Sequence, residues 1–131
     1  MPTAGVLIVE DDAVLAHAVG RNLTARGYDA RIVGTVAEAL DALEKDTPSL
    51  VVLDIDLPDG SGWEVLHTLR AGGRHAVPAI VMSALRPNVR LVTELGCVGI
   101  LEKPFPIDSL LRMIKHYIGQ LAALAGDQLE R

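Results

Sequence analysis

The sequence predicts a single doubly wound α/β domain, a parallel sheet with helices on both faces. Five short β-branched runs alternate with helical patterns, the mark of repeated strand–helix–strand units with right-handed crossovers. Four of the runs are nearly continuous in apolar character, as strands buried on both faces of a parallel sheet are. The 131 residues, 50% of them hydrophobic, suffice for one core and not for two ordinary domains.

The first strand is Val6–Val9. Val14, Leu15, Ala18, Val19 and Leu23 then recur at helical spacing, which predicts a helix with these residues facing the core and Gly27 at its C-terminal cap. Ala30–Val33 follows as an edge strand, because Arg31 interrupts its apolar run. Thr35 with Glu38 reads as a capping box opening a helix through Leu40 and Leu43 that stops before Pro48. Leu50–Leu53 is the third strand. Ser61 with Glu64 repeats the capping pattern ahead of Val65, Leu66 and Leu69, and Gly72-Gly73 ends that helix. Ala79–Met82 is the fourth strand, and a short helix fits between Pro87 and Leu95. Val98–Leu101 is the fifth strand. The last helix starts near Asp108 with Leu110, Leu111, Ile114, Ile118 and Leu121 on one face. Gly119 and Gly126 weaken it, so the domain is expected over residues 1–119, with 120–131 a tail, a helix extension or the start of a linker.

Twelve Lys+Arg against 17 Asp+Glu give a net charge of −5, which argues against direct binding to nucleic acid or an anionic membrane. Cys97 is alone, so neither an internal disulfide nor a cysteine-based zinc site is available. No apolar run approaches the roughly 18–20 residues of a membrane span, and no basic-then-apolar leader opens the chain. The expectation is a soluble cytoplasmic protein.

The chemistry lies where polar residues meet strand ends. Glu10-Asp11-Asp12 follow the first strand, Asp54 closes the third, Ser83 the fourth, and Lys103 lies just past the fifth. In an open parallel sheet the carboxyl ends of the strands line the crevice that binds ligands. Each residue alone has an ordinary reading: Asp12 as a helix N-cap, Asp54 as a turn opener before Pro58-Asp59-Gly60, Ser83 as an ordinary serine, Lys103 as a surface lysine before Pro104. Together they point to one rim. Clustered carboxylates repel by about 4 kcal/mol per pair at 4 Å and an effective dielectric near 20. They must protonate, pair with a cation or bind metal. Oxygen donors without sulfur or clustered histidine suit Mg²⁺. A lysine and a hydroxyl beside a reactive carboxylate then equip the rim for phosphoryl transfer to aspartate.

These residues carry a resemblance. LIVEDD at 7–12, LDIDLPDGSG at 53–62, VMSA at 81–84 and LEKPF at 101–105 resemble the receiver domain of response regulators, the phosphoacceptor of two-component signalling. The likeness covers residues 4–119. It implies a (βα)₅ flavodoxin-like fold with strand order 2-1-3-4-5 and Asp54 as the phosphorylation site. Asp11 and Asp54 would bind Mg²⁺ directly, Glu10 through water, and Asp56 through its backbone carbonyl, leaving Asp12 as an N-cap. Ser83 and Lys103 match the family's switch hydroxyl and lysine. The implied donor is a phosphohistidine on a sensor histidine kinase or histidine phosphotransfer protein. The implied recipient of the signal is a downstream protein or an output domain, and a homodimer is one state the resemblance allows.

Two departures fall on the output face. Ile100 stands where the family has Tyr or Phe, and the segment from Ser83 to Lys103 is two residues short. Asp54 chemistry is therefore expected intact, with signal readout shifted toward the first helix or the C-terminal tail. His17, His67, His75 and His116 share no spacing and read as surface residues, and Cys97 as a loop-to-strand residue. Arg70 and Arg74 suit a helix C-terminus. Trp63 is expected near the site, with fluorescence that responds to Mg²⁺ or phosphorylation. The competing readings are a receiver-like interaction module that works without phosphorylation and a DxD aspartyl-phosphate phosphatase built on Asp54-Ile55-Asp56. The second needs the opposite motif order and a cap domain.

Overall fold

The computed structural model describes residues 5–74 and 76–129, with the backbone alone from residue 120. Its elements are β1 (Gly5–Val9), α1 (Ala13–Ala25), β2 (Asp29–Val33), α2 (Val36–Lys45), β3 (Leu50–Asp54), β4 (Asp56–Leu57), β5 (Gly60–Ser61), α3 (Gly62–Ala71), β6 (Ala79–Ser83), α4 (Val89–Glu94), β7 (Gly99–Glu102) and α5 (Ile107–Leu129). Five parallel strands form one sheet in the order β2-β1-β3-β6-β7, while β4 and β5 pair as a separate antiparallel ribbon. With β6 and β7 as the sheet's fourth and fifth strands, this is the 2-1-3-4-5 order. The direction of winding reverses between β1 and β3, which opens a crevice at their carboxyl ends.

Alternation along each strand divides the core in two. Leu7, Val9, Val51, Leu53, Ala79 and Val81 pack with α2 and α3, while Val6, Ile8, Leu50, Val52, Ile80 and Met82 pack with α1 and α5. The central strands β1, β3 and β6 are apolar because both faces are covered. β2 is an edge strand, as Arg31 predicts. The fifth strand starts one residue later than expected and, at the edge where the order 2-1-3-4-5 places it, leaves Ile100 39% exposed although its apolar run reads as buried on both faces. An apolar run by itself does not separate a central strand from an edge.

The helix starts follow their caps. Asp12 accepts from the amides of Val14 and Leu15, and Thr35 from that of Glu38. Ser61 accepts from Trp63 rather than making the full reciprocal box with Glu64. Gly27 has φ +87°, the left-handed conformation that ends α1. The buried stripe of α1 is Ala16, Val19, Gly20 and Leu23, and Val14 is 82% exposed instead of facing the core. The stripe is set by β2, since a Cβ at Gly20 would meet Ile32 Cδ1 at 3.0 Å. In α5, Leu110, Leu111, Ile114 and Ile118 are buried as expected. The helix backbone runs on past residue 119, while the Leu121 and Leu124 side chains, His75, residues 1–4 and residues 130–131 lie outside the described residues. Among those described, no helix is long and apolar enough to cross a membrane.

Candidate functional site

Strand register brings the polar residues to one rim. Val9 lies opposite Val33 and Leu53, Asp54 opposite Met82, and Ser83 opposite Glu102. Glu10 and Lys103 therefore leave the sheet one residue beyond β1 and β7. The ladders continue past the strand ends: Glu10 N–H donates to Val33 O (3.0 Å), Ile55 N–H to Met82 O (3.0 Å) and Lys103 N–H to Ser83 O (2.8 Å). The backbone of Glu10, Asp54, Ser83 and Lys103 is thus held by the sheet itself.

Glu10, Asp54 and Ser83 are buried, while Asp11 is exposed. Carboxylate oxygens of Glu10, Asp11 and Asp54 lie within 4.8 Å of one another. The Lys103 ammonium bridges the two buried acids, donating to Glu10 Oε1 and to Asp54 Oδ2 at 3.1 Å. Asp54 Oδ1 accepts the Asp56 amide at 3.1 Å, and Glu10 Oε2 lies 3.4 Å from the Asp12 amide. Asp12 spends its carboxylate on the α1 cap, as the sequence predicts. Asp56 is exposed and adds no carboxylate to the cluster. Ser83 Oγ accepts the Leu85 amide at 3.2 Å.

Charge is out of balance here. Three carboxylates against one ammonium leave two negative charges uncompensated when all are ionised. Burial, reinforced by the hydrogen bond with Asp54, pushes the Glu10 carboxyl up to about 7 despite Lys103. Burial pulls the Lys103 ammonium downward, yet the hydrogen bonds and charges of Glu10 and Asp54 outweigh it and hold it above the ordinary lysine value. An all-oxygen donor set with an excess of two charges fits a hard divalent cation, which Glu10, Asp11 and Asp54 could hold.

The loop after Asp54 is tightly built. Gly62 N–H donates to Ile55 O at 2.8 Å, and a Cβ at Gly62 would lie 2.2 Å from the Asp54 carbonyl oxygen. Only glycine lets α3 begin against the Asp54 backbone. Trp63 is half-buried against the α2/α3 side of the core.

Sequence reasoning missed two residues. Asp59, read as a turn residue, accepts the amides of Val36 (2.7 Å) and Ala37 (3.1 Å) at the start of α2. Arg70, read as a helix-end charge, is buried and donates to the carbonyls of Leu95, Arg74 and Val77 at 2.7–2.8 Å and of Gly96 at 3.4 Å. Its position four residues after Leu66, on the apolar stripe, was the available signal. Arg74 does serve a helix C-terminus, that of α2, through Leu43 O at 2.6 Å. His17, His67 and His116 are exposed, and Cys97 is half-buried between α4 and β7 with its thiol pushed up by burial.

Residues 6–115 match the family model described as the response regulator receiver domain. The transcriptional regulatory protein KdpE of Mycobacterium tuberculosis is 36% identical over 122 residues, which cover 92% of this chain and 53% of that protein. The swarming motility regulation protein RssB of Serratia marcescens is 34% identical, with 92% of this chain and 55% of that protein covered. The chain thus spans about half the length of these two relatives. Among solved structures, the signal receiver domain of a putative Luxo repressor protein from Vibrio parahaemolyticus superposes with a TM-score of 0.83 at 28% identity, covering 99% of both chains. None of these matches lends support to a phosphate-independent module or to a DxD phosphatase.

Proposed function

The chain belongs to the response regulator receiver family of two-component signalling, and from that premise we propose that Asp54 is its phosphoryl acceptor. The observation that carries the proposal is the buried Asp54 carboxylate, bonded to Lys103 and to the Asp56 amide beside two further acids. An Asp54 oxygen attacks the phosphorus of a phosphohistidine, the P–N bond breaks, and the imidazole of the donor protein departs with that electron pair. The product is an acyl phosphate, later returned to carboxylate and inorganic phosphate by water. The donor is a sensor histidine kinase or a histidine phosphotransfer protein, and the setting is cytoplasmic. The domain acts as a signalling phosphoacceptor that assists its own modification and not as a turnover enzyme.

The chain's own groups position and neutralise. Asp56 N–H orients Asp54, and Lys103 transfers its hydrogen bond from Asp54 to a phosphoryl oxygen as charge develops. Ser83 turns its hydroxyl from the Leu85 amide toward the phosphoryl group. Asp11, Asp54 and the Asp56 carbonyl would hold Mg²⁺, with Glu10 acting through water, and the ion would supply neutralisation of the charge that develops during transfer. Glu10 suits that indirect role because both its oxygens already face protein donors.

Readout departs from the family pattern. Ile100 has no polar tip to turn inward, and α4 spans six residues with none buried. We assign the signal instead to α1 or the C-terminal tail at 120–131, beyond a receiver at 1–119, acting on a downstream protein or an output domain. Two experiments test acceptor and readout in turn. With Mg²⁺ and acetyl phosphate, intact mass should show one added phosphoryl group in the native chain and none in Asp54→Asn. Label retained in Asp54→Asn, or absent from the native chain, overturns the assignment. Amide exchange with beryllofluoride should then change in α1 or α5, and changes confined to α4 and β7 would overturn the readout.

A further inference from the structure

The loop between Asp54 and α3 packs Ile55 and Leu57 against the core, while Pro58, Asp59 and Gly60 at its tip are exposed. Its ribbon pairs only Asp56 with Ser61 and Leu57 with Gly60, and isolated two-residue pairings are marginal on their own. The tip residue Asp59 is exposed, yet each of its carboxylate oxygens receives a different amide of α2: Val36 N–H on Oδ1 at 2.7 Å, and Ala37 N–H on Oδ2 at 3.1 Å. The helix already has a local cap, since Thr35 Oγ1 accepts the Glu38 amide at 3.0 Å. Asp59 therefore takes the first-turn amides that Thr35 does not reach, from 23 positions away in sequence.

The start of α2 also touches the other arm of the site. Glu10 N–H bonds to Val33 O, and a Cβ at Gly34 would lie 3.8 Å from both Asp11 Cα and Glu10 O. The turn into α2 thus rests against the Glu10–Asp11 backbone, while Asp59 ties the Asp54–Asp56 loop to that same turn. One short segment, residues 33–37, spans the crevice between the carboxylates of β1 and the carboxylate of β3.

We propose that Asp59 is a positioning residue, fastening the acceptor loop to the first turn of α2 so that the Asp11 and Asp54 carboxylates keep the spacing that binds Mg²⁺. The proposal rests on the phosphoacceptor reading above. The Val36 and Ala37 amides also hold the Asp59 carboxyl below the usual carboxylate range, so the clamp is charged at neutral pH.

Calorimetric Mg²⁺ titration of the full chain is the test, with Trp63 fluorescence as a second monitor and amide exchange at Val36 and Ala37 reporting the clamp. Asp59→Ala should weaken Mg²⁺ binding about tenfold, the scale on which outer supports of metal ligands act. Asp59→Asn, which keeps one acceptor oxygen, should weaken it less, and it stands in if the alanine variant does not fold. Thr35→Ala removes the helix's own cap without touching the loop and should change Mg²⁺ affinity less than twofold. Equal losses in Asp59→Ala and Thr35→Ala would overturn the clamp, as would an Asp59→Ala affinity within twofold of the native value. A native chain that phosphorylates on Asp54 alongside either result leaves the phosphoacceptor reading standing, so the two failures are told apart.

Discussion

Two cations are drawn out of solvent at opposite ends of the sheet, and their partners differ in kind. At the amino-terminal edge, the Arg70 guanidinium faces main-chain carbonyls: Val77 ahead of β6, Leu95 and Gly96 ahead of β7, and Arg74 after its own helix. At the carboxyl-terminal edge, Lys103 faces the side-chain acids Glu10 and Asp54. Carbonyl dipoles neither titrate nor change ligands, so these bonds of Arg70 tie the loops before β6 and β7 to the end of α3. Carboxylates do both, and there are more of them than one ammonium can neutralise. Bonds from a cation to main-chain carbonyls serve the fold, whereas a cation outnumbered by acids sits where a change of charge can be accommodated.

The sharpest way to break this contrast is to remove each cation. Lys103→Met should slow Asp54 phosphorylation by acetyl phosphate by about 10²–10³-fold at saturating Mg²⁺, the scale of losing a donor aimed at developing charge. Time-resolved intact mass measures it, and a loss below tenfold would place Lys103 outside the reaction. Arg70→Met should do the converse, stranding several buried carbonyls and lowering stability by roughly 3 kcal/mol in urea unfolding. Its phosphorylation rate without urea should stay within twofold of native, and a large loss there would erase the distinction between the two edges.

The smallest effect concerns protons. The Glu10 carboxyl, about 7 in the folded chain against an ordinary 4.5, is raised, so folding favours its protonated form. Its cost to the Mg²⁺-free protein is absent below about pH 4.5, grows as the pH rises, and is complete above about 7. Glu10→Gln mimics the protonated acid and should recover on the order of 2 kcal/mol at pH 8, flattening the urea-midpoint profile between those limits. An unchanged profile would mean that Lys103 already satisfies Glu10.

Much of this was legible in the chain. Strand runs, caps and the rim residues Glu10, Asp11, Asp54, Ser83 and Lys103 are local patterns, and parallel register converts them into a cluster. What escaped is non-local. Arg70 bonds to Leu95 and Asp59 to Val36 across 25 and 23 positions, and no short-range pattern encodes which amide or carbonyl will lie opposite a polar side chain. The α1 face was misplaced at Val14 because several stripes satisfy helical spacing. The contact of Gly20 with Ile32 selects one of them only after β2 has docked.

The missing side chain at position 62 has a consequence for how such a sequence drifts. Inward, a single methyl group would collide with the Asp54 carbonyl, so that position is closed to change. Outward, the Asp56 and Pro58 side chains face solvent, while Asp59 is held by the amides of α2. Side-chain variation in this loop is channelled to those two outward positions, while the Asp54 backbone stays where it is.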